Sequence, residues 1–225
     1  MMDQMLNFLL RLLPFLKITL IIAVSSMIAG LILGGILATM KIGGGRILRK
    51  IAEFYTTVIR CTPVILLLFL SYYGIPVLLK LVGIDVSHGS KIVFAIIALS
   101  MYSSAILSEI IRPAYLAVNR GQYEAAVMSG LSHWQAIWHI VIPQAFYIAL
   151  PNMGNMIIAL VRQSSLAFLI GVVDVMGQAK VINSTTYSAH VFEIYFVVSL
   201  IYWVIILLIG KGVDVWTYRL GKILR

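Results

Sequence analysis

Residues 18–40 read ITLIIAVSSMIAGLILGGILATM, a stretch without one charged side chain. A helix needs about 20 apolar residues to cross the hydrocarbon core of a bilayer, with about 17 as the lower limit. This segment is long enough to span, and it sets the reading of everything around it. The same test picks out Cys61–Leu79, Ile92–Ser108 and Ile194–Gly210. Between the last two, Ile140–Val161 and Gln163–Val173 flank the lone Arg162, and a further span is placed at about Tyr147–Gly171. Five membrane helices result.

Composition agrees. Of 225 residues, 61% are hydrophobic and only 11% charged, with a mean hydropathy of +1.02. Soluble domains carry about 25% charged residues, so lipid is the main solvent of this chain. The opening MMDQMLNFLL lacks a basic leader and a small-residue cleavage site, and no removable signal peptide is expected. Met5–Leu16 reads as a short amphipathic element at the outer interface. Cys61 is the only cysteine, which excludes an internal disulfide and a cysteine metal site. His88, His133, His139 and His190 show no metal-ligand spacing, and structural roles are expected for them.

The net charge of +9 fits the positive-inside bias better than nucleic-acid binding. With the N-terminus outside, the inner segments hold Lys41, Arg46, Arg49, Lys50, Arg112, Arg120, Lys211, Arg219, Lys222 and Arg225. The outer ones hold Arg11, Lys17, Lys80, Lys91 and Lys180. Ten against five gives N-out and C-in. Gly30 and Gly34 form a small-xxx-small pair suited to close helix contact. Trp134, Trp138, Trp203 and Trp216, with Tyr72, Tyr73, Tyr202 and Tyr218, are expected in interfacial belts. Asp174 is expected on the outer side, solvated or against a partner protein.

The inner segment 113–143 is the most informative part of the sequence. Tyr123, Ala126, Val127, Gly130, Ile137, Ile140 and Val141 alternate with polar neighbours, and Ala125, Ala126, Ser129 and Gly130 leave one surface flat. A flat small-residue face suits a helix buried in a partner's groove. Gly130 ends a first helix, Ser132 caps a second, and Pro143 is expected to stop that second piece before the next span.

The stretch GQYEAAVMSGLSHWQAIWHIVIPQA, residues 121–145, resembles the EAA loop of ABC-importer permeases. Glu124, Ala125 and Ala126 stand in register with Gly130, and Ile140 and Pro143 close the pattern. EFYTTVIRCTPVILLLFLSYYGIP, AILSEIIRPAYLAVNRGQYEAA and LPNMGNMIIALVRQSSLAFLIGV resemble the polar amino acid branch (the histidine, glutamine and cystine type), and the likeness covers roughly residues 15–215. STTYSAHVFEIYFVVSLIYW has a slight likeness to the cystine subset. Three departures stand out. Cys61 replaces the usual glycine between Arg60 and Thr62-Pro63. Pro113-Ala114 stands where Gly-Gly is common, and Arg162-Gln163-Ser164-Ser165 stands where Lys-Asp-Thr-Ser is frequent. The last departure removes a carboxylate at mid-membrane depth.

The resemblance implies one all-α transmembrane permease domain, residues 1–225, of the type I ABC importer fold in a bacterial cytoplasmic membrane. It implies two permeases, equal or sister chains, two cytoplasmic ATPase subunits and an extracytoplasmic binding protein that delivers an amino acid. ATP and its Mg²⁺ then belong to the ATPase, and this chain is non-catalytic and binds no cofactor; it has no GxxxxGK[ST] phosphate loop. Glu124, Ala125, Ala126, Gly130, Ile140 and Pro143 would couple to the ATPase. Ionisable residues within the bilayer usually face a cavity or partner. Arg162, with Gln163, Ser164 and Ser165, and with Tyr102 and Ser104 on the third span, is expected along the substrate pathway. A packing contact for Arg162 is the alternative. Arg60, Thr62, Pro63 and Glu109 are expected to brace or gate the inner ends, Arg60 and Glu109 against each other or against the interface. No acid–base pair, nucleophile or metal cluster supports a membrane enzyme acting on lipid, and a passive channel has no use for a partner-shaped loop.

Overall fold

The computed structural model describes residues 2–223, so Arg225 of the inner charge set lies outside the described residues. Helix α1 (Met2–Leu12) passes through a 3₁₀ turn at Leu13–Phe15 into α2 (Leu16–Gly43). Helix α3 (Arg46–Cys61) follows the Gly44-Gly45 break, then α4 (Val64–Phe69), a π turn (Leu70–Gly74) and α5 (Ile75–Lys80). Helix α6 spans Lys91–Leu116, α7 Arg120–Met128 and α8 His133–Ala136. A π turn (Ile137–Val141), α9 (Ile142–Ser164) and a 3₁₀ turn (Ser165–Ile170) come next, before α10 (Val175–Thr185) and α11 (Val191–Ile223). Four helices are long and apolar enough to cross a membrane, and the α3 to α5 pair makes five when its two arms count as one span.

That second span differs from the uncharged stretch read in the sequence. Its inner arm α3 is amphipathic and helical through residues 46–61, and the chain turns by 107° between its arms. The break has a local cause. Pro63 lacks an N–H to continue the ladder and drives Thr62 to an extended conformation, φ −91° and ψ 126°.

Helix α6 stands at the centre, parallel to α2 and packed along its length. Their approach is close because Gly30 and Gly34 carry no side chain. A methyl at Gly30 would overlap Ser103 Oγ, and one at Gly34 would lie 2.9 Å from Leu107 Cβ and 3.0 Å from the Ser104 carbonyl oxygen. Polar bonds cross the same seam: Ser103 Oγ donates to the Ser26 carbonyl (3.0 Å) and Ser26 Oγ to the Ile96 carbonyl (3.3 Å). The small-xxx-small pair is a helix contact. Helix α9 runs antiparallel against α6 and α2, and α11 closes on α9, where a methyl at Gly154 would overlap Val213. Helix α1 packs on α11 through buried Phe8 and Leu12 rather than lying free at the interface. Leu68, Leu99, Leu107, Leu160, Ile182 and Ile194 fill the centre.

Asp174 departs from expectation. It is fully buried, capping α10 by accepting from the Gly177 N–H (2.9 Å), and its other oxygen accepts from Thr19 Oγ1 (3.3 Å) and the Tyr202 hydroxyl (3.4 Å). Three elements thus meet on one carboxyl. Tyr202 consequently leaves the aromatic belt, while Trp203 and Trp216 stay exposed on the perimeter. Asp174 lies in the connection between two spans. Burial pushes its carboxyl from 3.8 up to about 6, against the hydrogen bonds from Gly177, Thr19 and Tyr202 that pull it down.

Two tests follow from this packing. Gly30→Leu overfills the α2–α6 seam and is expected to destabilise the detergent-solubilised protein by about 1–3 kcal/mol or more, read as a lower Tm. Gly35→Leu, whose added side chain starts in open space, serves as the tolerated control, and equal Tm values for the two variants would count against the seam. For Asp174 the folded pKa is raised, so its stabilising contribution is complete below about pH 4 and is lost as pH climbs through about 6. Asp174→Asn keeps the cap without the charge. Its Tm advantage over the unsubstituted chain should open between about pH 4 and 7 and close in acid, worth ~3 kcal/mol at most. A pH-independent offset would contradict this.

Candidate functional site

The connection between α6 and α9 is an organised and largely exposed surface. Helix α6 continues through Pro113 to Leu116, beyond the residue where the loop was expected to begin. Asn119 restarts the chain as a helix by accepting from the Gly121 N–H (2.9 Å), which sets α7 off at a new angle. Along α7, Glu124 and Ala125 face outward and Met128 is 88% exposed, whereas Ala126 turns inward and is buried beneath its own helix. The flat face therefore consists of Glu124, Ala125 and their neighbours, with Ala126 serving internal packing.

Gly130 makes the corner. Its φ is +95°, the left-handed region that a side chain makes costly, and the space around it is open. Leu131 N–H returns to the Ala126 carbonyl (3.2 Å), closing the end of α7. Ser132 then caps α8 in a reciprocal box with Gln135: Gln135 N–H donates to Ser132 Oγ (3.3 Å) and Ser132 N–H to Gln135 Oε1 (2.8 Å). The two helices are tied by Tyr123 Oη and His133 Nδ1 at 2.7 Å. Tyr115, Asn119, Arg120, Tyr123, His133 and Ile137 line a cleft of about 420 Å³ under this corner.

Pro143 does not stop the second helix. His133–Ile170 is one continuous rod of 38 residues. The π turn explains it: Ile142 N–H reaches back to the Ile137 carbonyl, so the ladder is already offset where proline supplies no donor. Ile140 and Pro143 sit half-buried on this rod. The corner is thus fixed to the fourth span by an unbroken helix and to α6 by a three-residue turn.

The polar residues at membrane depth divide into two sets. Ser104 is buried, shares a hydrogen with Tyr55 Oη (3.0 Å) and donates to the Met101 carbonyl (2.8 Å), while Tyr102 is half-buried against the core. Ser164 is buried with its hydroxyl on the Val161 carbonyl (2.9 Å). Arg162, by contrast, is exposed, with Gln163 and Ser165 half-exposed beside it, and among the described residues no side chain bonds the Arg162 guanidinium. Asn152 and Asn155 are exposed on the same stripe of α9. Neither asparagine stands out by composition, although their i, i+3 and i+10 spacing with Arg162 is visible in the sequence. Such a stripe needs a water-filled cavity or a second protein surface, because lipid cannot solvate it.

At the inner ends, Arg60, Cys61 and Pro63 are exposed at the 107° bend, and Thr62 Oγ1 bonds the Val58 carbonyl (2.8 Å). Glu109 does not meet Arg60. It accepts from Lys41 Nζ at 2.6 Å, and Lys41, read in the sequence as an inner-loop cation, is buried. Among the described residues, no three His, Cys, Asp or Glu side chains converge as a metal site would require.

With this geometry in place, the comparisons with known proteins are informative. The family of binding-protein-dependent transport system inner membrane components matches residues 30–220. The L-cystine transport system permease protein TcyL of Bacillus subtilis (strain 168) is 37% identical over 221 residues, 98% of this chain and 90% of that protein. The arginine transport system permease protein ArtQ of the same organism is 39% identical over 202 residues, covering 88% and 89%. Among solved structures, an amino acid ABC transporter determined with histidines aligns at a TM-score of 0.82 and 32% identity, over 96% of this chain and 97% of that one. The inward-facing MetNI methionine ABC transporter, at 20% identity and a TM-score of 0.70, shares the fold.

Proposed function

The chain belongs to the binding-protein-dependent transport system inner membrane component family, a multi-pass family of the cytoplasmic membrane, and on that premise we propose that it is the permease subunit of an ATP-driven importer for a polar amino acid. The observation that carries this is the corner at Gly130. An outward face of Glu124, Ala125 and Met128 stands on a rod that runs unbroken to the mid-membrane stripe of Asn152, Asn155 and Arg162. A partner ATPase gripping that face tilts α9 and moves the stripe, switching access from one side to the other. Glu124 supplies the charged contact and Ala125 the close one. Ile140 and Pro143 stiffen the rod behind them.

The stripe supplies the substrate pathway. Arg162 offers a cation for an amino acid carboxylate, with Gln163 and Ser165 beside it as acceptors and donors for the remaining polar groups. Because one chain leaves the stripe uncovered, a second permease completes the pathway, and an extracytoplasmic binding protein delivers the solute. The relatives named for cystine, at 37% identity over 98% of this chain, and for arginine, at 39% over 88%, support an amino acid as the solute, and cystine or a close relative is the one we propose. ATP and Mg²⁺ are held by the partner ATPase.

Reconstitution of the permease with its ATPase and binding protein in proteoliposomes tests this. ATP-dependent uptake from an amino acid panel is expected, and flux through the permease alone would instead mark a channel. Gly130→Asp forces a side chain into φ +95° and adds charge at the gripped corner. It should insert normally yet lose most of its uptake, by about tenfold or more, since strain of this kind costs about 1–3 kcal/mol. Uptake at the unsubstituted level would overturn the assignment of the corner.

A further inference from the structure

Lys41 sits in the last turn of α2 with a side chain only 1% exposed. An ammonium has three N–H groups, and all three are used on two other helices. They reach Glu109 Oε1 (2.6 Å) and Ser108 Oγ (3.0 Å) on α6, and Thr56 Oγ1 (3.0 Å) on α3. The two hydroxyls are oriented to accept. Ser108 spends its hydrogen on the Ala105 carbonyl (2.9 Å), and Thr56 directs its own to the Ala52 or Glu53 carbonyl (both 3.0 Å). Desolvating a cation is costly unless it is paired and bonded throughout, so this site admits one arrangement of the three helix ends.

The placement gives the knot a mechanical role. Glu109 lies two turns before α6 reaches Leu116 and hands the chain to α7. Thr56 lies near the end of α3, just ahead of the 107° bend at Thr62-Pro63. Helix α3 has a second anchor on α6, Tyr55 Oη against Ser104 Oγ at 3.0 Å, one turn outward. Ala52 and Ile59 pack α3 against its neighbours, and the Tyr55 and Lys41 bonds add polar ties at two levels. We propose that Lys41 is a positioning residue for transport: its ammonium clamps α3 to α2 and α6, so that displacement of the coupling corner carries the bent second span with it. This rests on the transport reading above.

Thr56→Val is the test, because it cuts the tie to α3 and leaves the Lys41–Glu109 pair intact. In proteoliposomes with the ATPase and binding protein, solute imported per ATP should fall about fivefold or more, the lower range of coupling between sites. The exposed neighbour variant Thr57→Val should match the unsubstituted chain. A nitroxide on Phe54→Cys in α3, placed on a Cys61→Ser background, should respond to ATP in the otherwise unsubstituted protein and stop responding with Thr56→Val. Should Thr56→Val fail to assemble, the charge-free pair Lys41→Met with Glu109→Gln is read by the same label and must silence it. Equal import per ATP for Thr56→Val and Thr57→Val, or a label that still follows ATP in either knot variant, overturns the proposal. Absence of uptake by the unsubstituted complex would instead refute the transport reading itself.

Discussion

The architecture depends on how closely α2 and α6 approach. Between lipid-facing helices there is no hydrophobic force to draw them together, since acyl chains solvate leucine as well as another helix does. Association must come from dispersion at short range and from polar bonds with no competing water. Gly30 and Gly34 supply the first, and the Ser26 and Ser103 hydroxyls supply the second. Once that pair is set, α6 becomes the post around which α3, α4 and α9 are arranged, and α11 is fixed through α9.

The outer and inner ends of this assembly use different chemistry. On the outer side one carboxyl, Asp174, gathers Thr19, Tyr202 and the start of α10. On the inner side one ammonium, Lys41, gathers α3 and α6. Each is a single polar group joining three elements, so each fixes relative orientation where apolar contacts alone would permit sliding. The second half of α9 is left uncovered along Asn152, Asn155 and Arg162.

Much of this was legible in the sequence. Uncharged length identified the spans, a glycine between two helix-forming runs identified the break at Gly130, and Ser132 at the head of the second run signalled a cap. What was illegible has a common physical form. Lys41 and Asp174 were read as surface charges because composition cannot show that a charge is folded inward among acceptors from distant segments. Helix α3 was read as a loop because its apolar face is only one-sided, and the membrane test rewards uniform apolarity. Pro143 was read as a stop because the offset that accommodates it, the π turn at Ile137–Val141, leaves no mark in residue type. Ala126 shows the finer limit. A motif gave its importance and could not say whether it faced the partner or its own helix.

The unbroken rod from His133 to Ile170 has a consequence of scale. At about 1.5 Å per residue it extends roughly 57 Å, well beyond the roughly 30 Å hydrocarbon core. One close approach to a neighbour, Gly154 against Val213, lies far from the corner and nearer to Arg162. Taken as a fulcrum, that contact leaves arms of about 32 Å and about 12 Å. If the cytoplasmic tip is driven as proposed, the rod would act as a reduction lever. A swing at that tip would arrive at the Arg162 guanidinium as a movement about a third as large, with correspondingly greater force. Such a lever would turn a coarse motion in water into a fine adjustment within the bilayer.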